Sequence, residues 1–386
     1  MKPLSQRASS LKPSGIRKFF DLIAASKDII SLGVGEPDFV TPERIRNAGI
    51  KALQEGRTKY TSNAGTPECR AAISDYIRRR YGIRYSSDNE ILITVGVSEA
   101  MDLSMRALLE PGDEALIPEP CFVSYAATAS LTGGTPVPVP TYHENDFRLA
   151  VEDLEKAVTP RTKVLLLSFP NNPTGAVMPK HELVKVAEFV LKHDLWVISD
   201  EIYDRLTYIG EPTCFATLPG MRERTITLNG FSKAFAMTGW RLGYACAPAD
   251  LISVMYRIHQ YAMMCAPTIP QYAAIEALTN ADEDVEMMLR SYDERRKIIV
   301  NGFREMGLEC FEPGGAFYCF PRITRTGLSS EDFAEQLIHQ QKVAVVPGTA
   351  FGDCGEGHVR CCYAVAKDDI QEALRRIRVF IEPLMK

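Results

Sequence analysis

From residue 90 onward the apolar positions switch repeatedly between two periods. Residues 90–97 (EILITVGV) are β-branched and nearly continuous, which predicts a strand. The stretch 98–109 then places apolar residues at helical spacing and stops at Pro111-Gly112. Residues 115–118 predict another strand, 124–132 an amphipathic stretch and 136–139 a further strand. The run 163–169 (KVLLLSF) is unbroken, as suits a strand covered on both faces. A helix over 180–193 follows, then strands at 195–199 (LWVIS) and 225–228. Strands alternating with helices in this way predict an α/β fold with a mixed, mostly parallel sheet.

The last hundred residues read differently. Residues 282–305 predict a long charged helix, 315–320, 342–346 and 358–363 separate strands, and 367–383 a closing helix. This is the pattern of a smaller α+β domain. With 386 residues, about 2.6 times a typical domain, the chain has room for two. The expected division is a large domain over 46–284 and a small one over 285–386, with the segment 1–45 joining the small domain. No internal repeat or low-complexity linker interrupts the chain.

Composition narrows the function classes. Hydrophobic residues make up 46% and charged residues 24%, which excludes disorder, collagen and coiled coil. A net charge of −5 gives a nucleic acid or an anionic membrane no electrostatic support as partner. Ten cysteines occur without a CxxC pair, and six histidines without metal-ligand spacing, so free thiols and no metal are expected. Lys2, Arg7 and Lys12 have no apolar run behind them, and no stretch of about 18 apolar residues occurs. The expectation is a cytoplasmic globular protein.

Ligands of open α/β sheets bind beyond the carboxyl ends of the strands, and the unusual residues gather there. After 163–169 comes the turn Pro170-Asn171-Asn172-Pro173-Thr174-Gly175, and after 195–199 come Asp200, Glu201 and Tyr203. Past 225–228 stand Ser232, Lys233 and Arg241, and behind 90–97 lies Gly96-Val97-Ser98 at a helix start. Each alone has a plain reading: a solvated lysine, a helix cap with its first-turn acid, a turn, a surface arginine, a core Phe122. Their coincidence at four successive strand ends asks for one chemistry that needs all of them. A lysine amine forms Schiff bases with carbonyls. An aldehyde cofactor with a pyridine nitrogen would need an acid such as Asp200 to keep its ring protonated as an electron sink. Arg241, Ser232 and the helix-start amides would cradle its phosphate, and Tyr203 would donate to its ring oxygen. Pyridoxal phosphate meets these demands.

The stretch Gly230-Phe231-Ser232-Lys233-Ala234-Phe235-Ala236-Met237-Thr238-Gly239-Trp240-Arg241-Leu242-Gly243 resembles the cofactor-attachment signature of class I aminotransferases. Ser31-Leu32-Gly33-Val34-Gly35-Glu36-Pro37-Asp38-Phe39, Tyr60-Thr61-Ser62-Asn63-Ala64-Gly65, Asn172-Pro173-Thr174-Gly175, Ser199-Asp200-Glu201-Ile202-Tyr203 and Gly357-His358-Val359-Arg360 follow the family order as well. The resemblance therefore spans nearly the whole chain. It implies a fold-type I pyridoxal-phosphate enzyme of aspartate aminotransferase-like fold, a homodimer with its active sites at the subunit interface.

Residue by residue, it implies Lys233 as the Schiff-base lysine and proton carrier, Asp200 at the pyridine nitrogen, and Tyr203 and Asn172 at the ring oxygen. Phe122 would stack on the ring, where the aspartate branch usually has Trp. Gly96, Val97, Ser98, Ser232 and Arg241 would hold the phosphate, with Val97 replacing a frequent Gly, and Tyr60 would reach the phosphate of the neighbouring subunit. Arg360 would bind the substrate α-carboxylate, assisted by Asn172 and the backbone of Gly35. Together with the Ser14-Gly15-Ile16-Arg17-Lys18-Phe19 start and the Gly314-Gly315-Ala316-Phe317-Tyr318 turn, the chain looks most like the branch of aromatic, aspartate and N-acetyl-diaminopimelate aminotransferases. The implied activity is ping-pong transfer of an amino group from an L-amino acid to a 2-oxo acid, 2-oxoglutarate, with aromatic or broad specificity. Aspartate or N-acetyl-LL-diaminopimelate as donor, and a carbon–sulfur lyase on the same fold, are the alternatives.

Overall fold

A computed structural model describes residues 2–11 and 28–385. A short first strand, β1 (Ile30–Ser31), stands apart from the seven that follow: β2 (Ile91–Thr94), β3 (Glu114–Glu119), β4 (Thr135–Pro140), β5 (Thr162–Ser168), β6 (Trp196–Asp200), β7 (Thr225–Gly230) and β8 (Gly243–Cys246). These seven form one sheet in the order β2-β8-β7-β6-β5-β3-β4. All its neighbours pair in parallel except those of β8, which runs against both β2 and β7. Along β5 the side chains alternate between two cores. Val164 and Leu166 join Leu92, Ile198 and Leu228 beneath the helices Gly96–Leu108 and Ala249–Ala262. Leu165 and Leu167 join Val197 and Leu116 beneath the helix Lys180–Lys192. The unbroken apolar run at 163–169 is thus a strand covered on both faces.

The remaining strands are β9 (Tyr318–Cys319), β10 (Val343–Ala344), β11 (Val346–Pro347) and β12 (Val359–Cys362). β11, β12 and β9 form a three-stranded antiparallel sheet, and β1 pairs in parallel with β10. Two further backbone bonds extend that pairing: Leu32 N–H to the Ala344 carbonyl at 2.8 Å and Cys362 N–H to the Leu32 carbonyl at 2.7 Å. Residues 30–33 are thereby fixed beside β12. The helices Asp282–Glu305 and Lys367–Ile381 pack over this region and share the largest apolar core. All ten cysteines are free thiols.

Several expectations were too long or incomplete. The strand at 90–97 ends at Thr94, because Gly96 adopts φ +73° and turns the chain into the helix it begins. The expected strand 315–320 shrinks to two residues behind the Gly314-Gly315 turn, and 342–346 divides into β10 and β11 around Val345. The helices Glu43–Gln54, Pro67–Tyr81, Ala249–Ala262 and Thr268–Asn280, and the antiparallel β8, went unread. The segment 14–19 lies outside the described residues.

Gly243 at the start of β8 faces the beginning of the helix Gly96–Leu108. A Cβ there would come within 2.7 Å of the Gly96 carbonyl carbon and the Val97 nitrogen, both backbone atoms. Neither can rotate away. Gly243→Ala is expected to destabilise the protein by about 1–3 kcal/mol, read as a lower urea midpoint with unchanged slope.

Candidate active site

The carboxyl ends of β5, β6 and β7 and the amino end of the helix Gly96–Leu108 open on one cavity of about 380 Å³. Gly35, Val97, Ser98, Phe122, Asn172, Asp200, Tyr203, Ser232, Lys233, Arg241 and Arg360 all line it. Gly96 lies just beneath Arg241, whose Nη2 would stand 2.7 Å from any Cβ at that position. Tyr60 does not reach the cavity of its own chain and is 80% exposed.

Asp200 is the last residue of β6, directly beside Ser168 of β5. No helix follows it; the chain enters a series of turns. Its carboxylate is buried and accepts from the Tyr125 hydroxyl at 2.8 Å and the Ile202 N–H at 3.2 Å. Burial raises its pKa to about 6, against the lowering effect of these two donors and of the Lys233 charge. Lys233, three residues past β7, meets the opposite fate. Its Nζ donates to the Gly35 carbonyl at 2.8 Å, and it stands 5.8 and 5.6 Å from the ring centres of Tyr203 and Phe317. Desolvation lowers its pKa to about 8, with Arg360 and Arg241 adding to the effect. A buried acid and a buried amine are thus both drawn toward neutrality, as titratable groups at functional sites commonly are.

At the other end of the cavity is an anion cradle. The helix Gly96–Leu108 begins without a side-chain cap on its first turn. Ser98 and Ser232 bring hydroxyls, and Arg241, in left-handed backbone at φ +55°, lays its guanidinium over Gly96. One of its nitrogens donates to the Thr238 carbonyl at 3.0 Å. Backbone amides at a helix start, with an arginine above them, suit a phosphate.

Arg360, on β12, is 2% exposed and has only neutral partners. Nη1 donates to Asn172 Oδ1 at 2.9 Å and Nη2 to the Gly33 carbonyl at 2.6 Å, while Nε has none. The guanidinium lies 4.6 Å from the Tyr318 ring centre and 4.8 Å from that of Phe351. A buried cation without an anion is unfavourable on its own, and this one faces a cavity in which a carboxylate would complete it.

Three contributors escaped the sequence reading. Tyr125 holds Asp200; Tyr318 flanks Arg360 and lies 2.9 Å from the Tyr203 hydroxyl; Gly33 supplies a carbonyl to Arg360. Tyr318 and Gly33 stood within quoted motifs, but nothing in the spacing gave them partners. For Tyr125 the one hint was its place three residues past Phe122.

Residues 27–377 match the family model described as aminotransferase class I and II. The chain is 54% identical over 98% of both chains to the putative aminotransferase YugH of Bacillus subtilis. It is 48% identical over 97% of both to aromatic-amino-acid aminotransferase 2 of Thermococcus litoralis. The structure of aspartate aminotransferase from Thermus thermophilus with maleate superimposes with a TM-score of 0.94 at 39% identity, covering 98% of this chain and 100% of that one. The chain belongs to the class I and II aminotransferases, and is a transaminase dependent on pyridoxal phosphate.

Proposed function

We propose that the protein moves the α-amino group of an L-amino acid, aromatic donors foremost, to 2-oxoglutarate in two successive half-reactions. The observation that carries the donor preference is the charge inventory of the cavity. Among the described residues its only cations are Lys233, Arg241 and Arg360, and each has a task below. The cavity's apolar lining includes Val34, Met101 and Ile202, and its acid besides Asp200 is Glu36, which accepts from the Thr238 hydroxyl. An uncharged ring suits such a lining better than a second carboxylate does. The aromatic name of the Thermococcus litoralis relative agrees with this.

The residues present fit the cofactor. Gly96 leaves room that a Cβ would fill, Asp200 offers a buried carboxylate without an ion-pair partner among the described residues, and Lys233 offers an amine of lowered pKa. Bound there, pyridoxal phosphate supplies an aldehyde that captures amines and a protonated ring that takes up electrons when a Cα–H bond breaks. In this reading the amides of Gly96, Val97 and Ser98, the Ser232 hydroxyl and Arg241 hold the phosphate, and Phe122 stacks on the ring. Asp200 keeps the ring nitrogen protonated. Tyr203 donates to the ring oxygen together with Asn172, whose amide NH₂ is left for that use because its Oδ1 already serves Arg360.

Arg360 takes the α-carboxylate in a bidentate pair, and the Gly35 N–H assists, its carbonyl being occupied by Lys233. So fixed, the donor would be held in one orientation within the cavity that Arg360 shares with Lys233. Lys233 Nζ, whose pKa desolvation lowers to about 8, would accept the Cα proton as general base and give it back as general acid. The reading includes a homodimer in which Tyr60 completes the neighbouring site, a cytoplasmic location, and the division into 46–284 against 1–45 with 285–386. The strand pairing of β1 with β10 supports that division.

Single-turnover spectra with tyrosine, phenylalanine, aspartate, glutamate, alanine and N-acetyl-diaminopimelate test the donor class. Tyrosine or phenylalanine is expected to convert the bound cofactor at least about tenfold faster than aspartate. Aspartate as the fastest donor would overturn the aromatic reading, and pyruvate released from a cysteine conjugate without added oxo acid would reveal a lyase. Removing the carboxylate fork separates binding from chemistry. Arg360→Ala is expected to raise KM for the donor about a hundredfold, and Arg360→Lys to restore only part of it, in steady-state assays. The lowered pKa of Lys233 sets a third expectation. The neutral amine is the nucleophile, so uptake of the aldehyde by cofactor-free protein should quicken as pH rises and level off above about 8. Stopped-flow absorbance reads this directly, and a pH-independent rate would exclude Lys233 as the capturing group.

A further inference from the structure

Asp200 keeps a charge in an unfavourable place. It lies 6% exposed at the end of β6 and makes no ion pair among the described residues, although the charge of Lys233 is near enough to lower its pKa. Two donors reach it, the Ile202 backbone N–H and the Tyr125 hydroxyl, and only the second belongs to a side chain. Tyr125 is itself 3% exposed, in the first turn of the helix Ser124–Thr132. Its hydroxyl lies 2.8 Å from Asp200 Oδ2 and 3.0 Å from Ser168 Oγ at the end of β5. Its ring meets the edge of Phe122 at 5.7 Å and 79°, which fixes the side chain from the other direction.

The direction of the hydrogen bonds is settled by chemistry. An ionised carboxylate only accepts, so the phenol must donate to it. Burial and the nearby Asp200 charge push the Tyr125 pKa far above its ordinary value, so the phenol keeps its proton. Ser168 is then free to donate to the phenolic oxygen, making a chain of two donors that ends on Asp200.

We propose that Tyr125, oriented by Ser168, is the positioning residue that keeps Asp200 ionised and aimed at the cofactor's ring nitrogen. A proton shared between a carboxylate and a ring nitrogen settles on the weaker acid's side, and a donor to the carboxylate favours the ion pair over the neutral pair. Without the Tyr125 hydroxyl the proton shifts toward Asp200 and the ring loses its charge. The tyrosine acts through Asp200. The inference rests on the assignment of Asp200 to the ring nitrogen.

Tyr125→Phe removes one oxygen and leaves the ring that fills the core. In the loaded enzyme kcat is expected to fall about tenfold or more while KM for the donor stays within about twofold. The dissociation constant for the cofactor should rise several-fold. Ser168→Ala should move both in the same direction by less, and it stands in if Tyr125→Phe fails to fold. A further readout needs no cofactor. Asp200 has a raised folded-state pKa of about 6, so its contribution is fully present at low pH and is lost as pH rises from about 4 through 6. Loss of the Tyr125 donor raises the upper end, so the fall in Tm of cofactor-free protein between pH 5 and pH 8 should widen.

A variant whose Tm drops equally at all pH values, with kcat and cofactor affinity within twofold of the parent, would show that Tyr125 only fills space. Asp200→Asn separates the two levels. If it collapses kcat while Tyr125→Phe does not, the positioning role falls and the Asp200 assignment stands. If Asp200→Asn retains kcat, the assignment and the inference fall together.

Discussion

Arg360 is a permanent cation held inside the protein by neutral oxygens, and much of the architecture serves that arrangement. Its two donors are met by a carbonyl from residue 33 and an amide oxygen from residue 172, while the guanidinium itself sits on β12. Three distant stretches of chain must therefore converge within hydrogen-bond distance. The pairing of β1 with β10 and of Leu32 with Cys362 brings the first to the last. The turn beyond β5 brings the second. Tyr318 and Phe351 close the faces with rings, whose quadrupoles favour a cation without neutralising it. The result is a cation that no carboxylate among the described residues satisfies, and that the proposed function fills with the substrate's.

The same logic runs through the rest of the cavity. Asp200 and Lys233 lie within a few residues of the ends of neighbouring strands, and burial moves their proton affinities toward each other, up for the acid and down for the amine. Neither makes an ion pair among the described residues, although the Lys233 charge lowers the Asp200 pKa. In each case neutral donors or acceptors fix the geometry, and the charge is left for a ligand to complete.

The sequence disclosed the strand ends and the residues on them because both signals are local. The apolar run over 163–169 and the turn after it are readable without knowing what lies beside them. The strand β8 was not, since four residues opening on Gly243 carry little periodicity, and its antiparallel course is imposed by β2 and β7. The helices between 43 and 81 contribute only part of a face each to the core, and their charged faces mask the apolar stripe. Within the site, residue types with distinctive chemistry stood out: a lysine, an acid, an arginine. Tyr125 and Gly33 did not, because a tyrosine beside a phenylalanine and a glycine in a loop acquire meaning only through partners 75 and 327 residues away.

That last separation bears on how the molecule comes into being. The Gly33 carbonyl is synthesised near the start and the guanidinium it accepts from arrives 327 residues later. All seven strands of the large sheet lie before residue 247, and Gly96 and Lys233 with them. The Arg360 guanidinium arrives only with β12. In the reading proposed above, most residues assigned to the cofactor are thus synthesised well before the arginine assigned to the substrate, and long-range closures of this kind are slow steps of folding. Pyridoxal phosphate, if it meets the chain at that stage, finds a partner before any amino acid does.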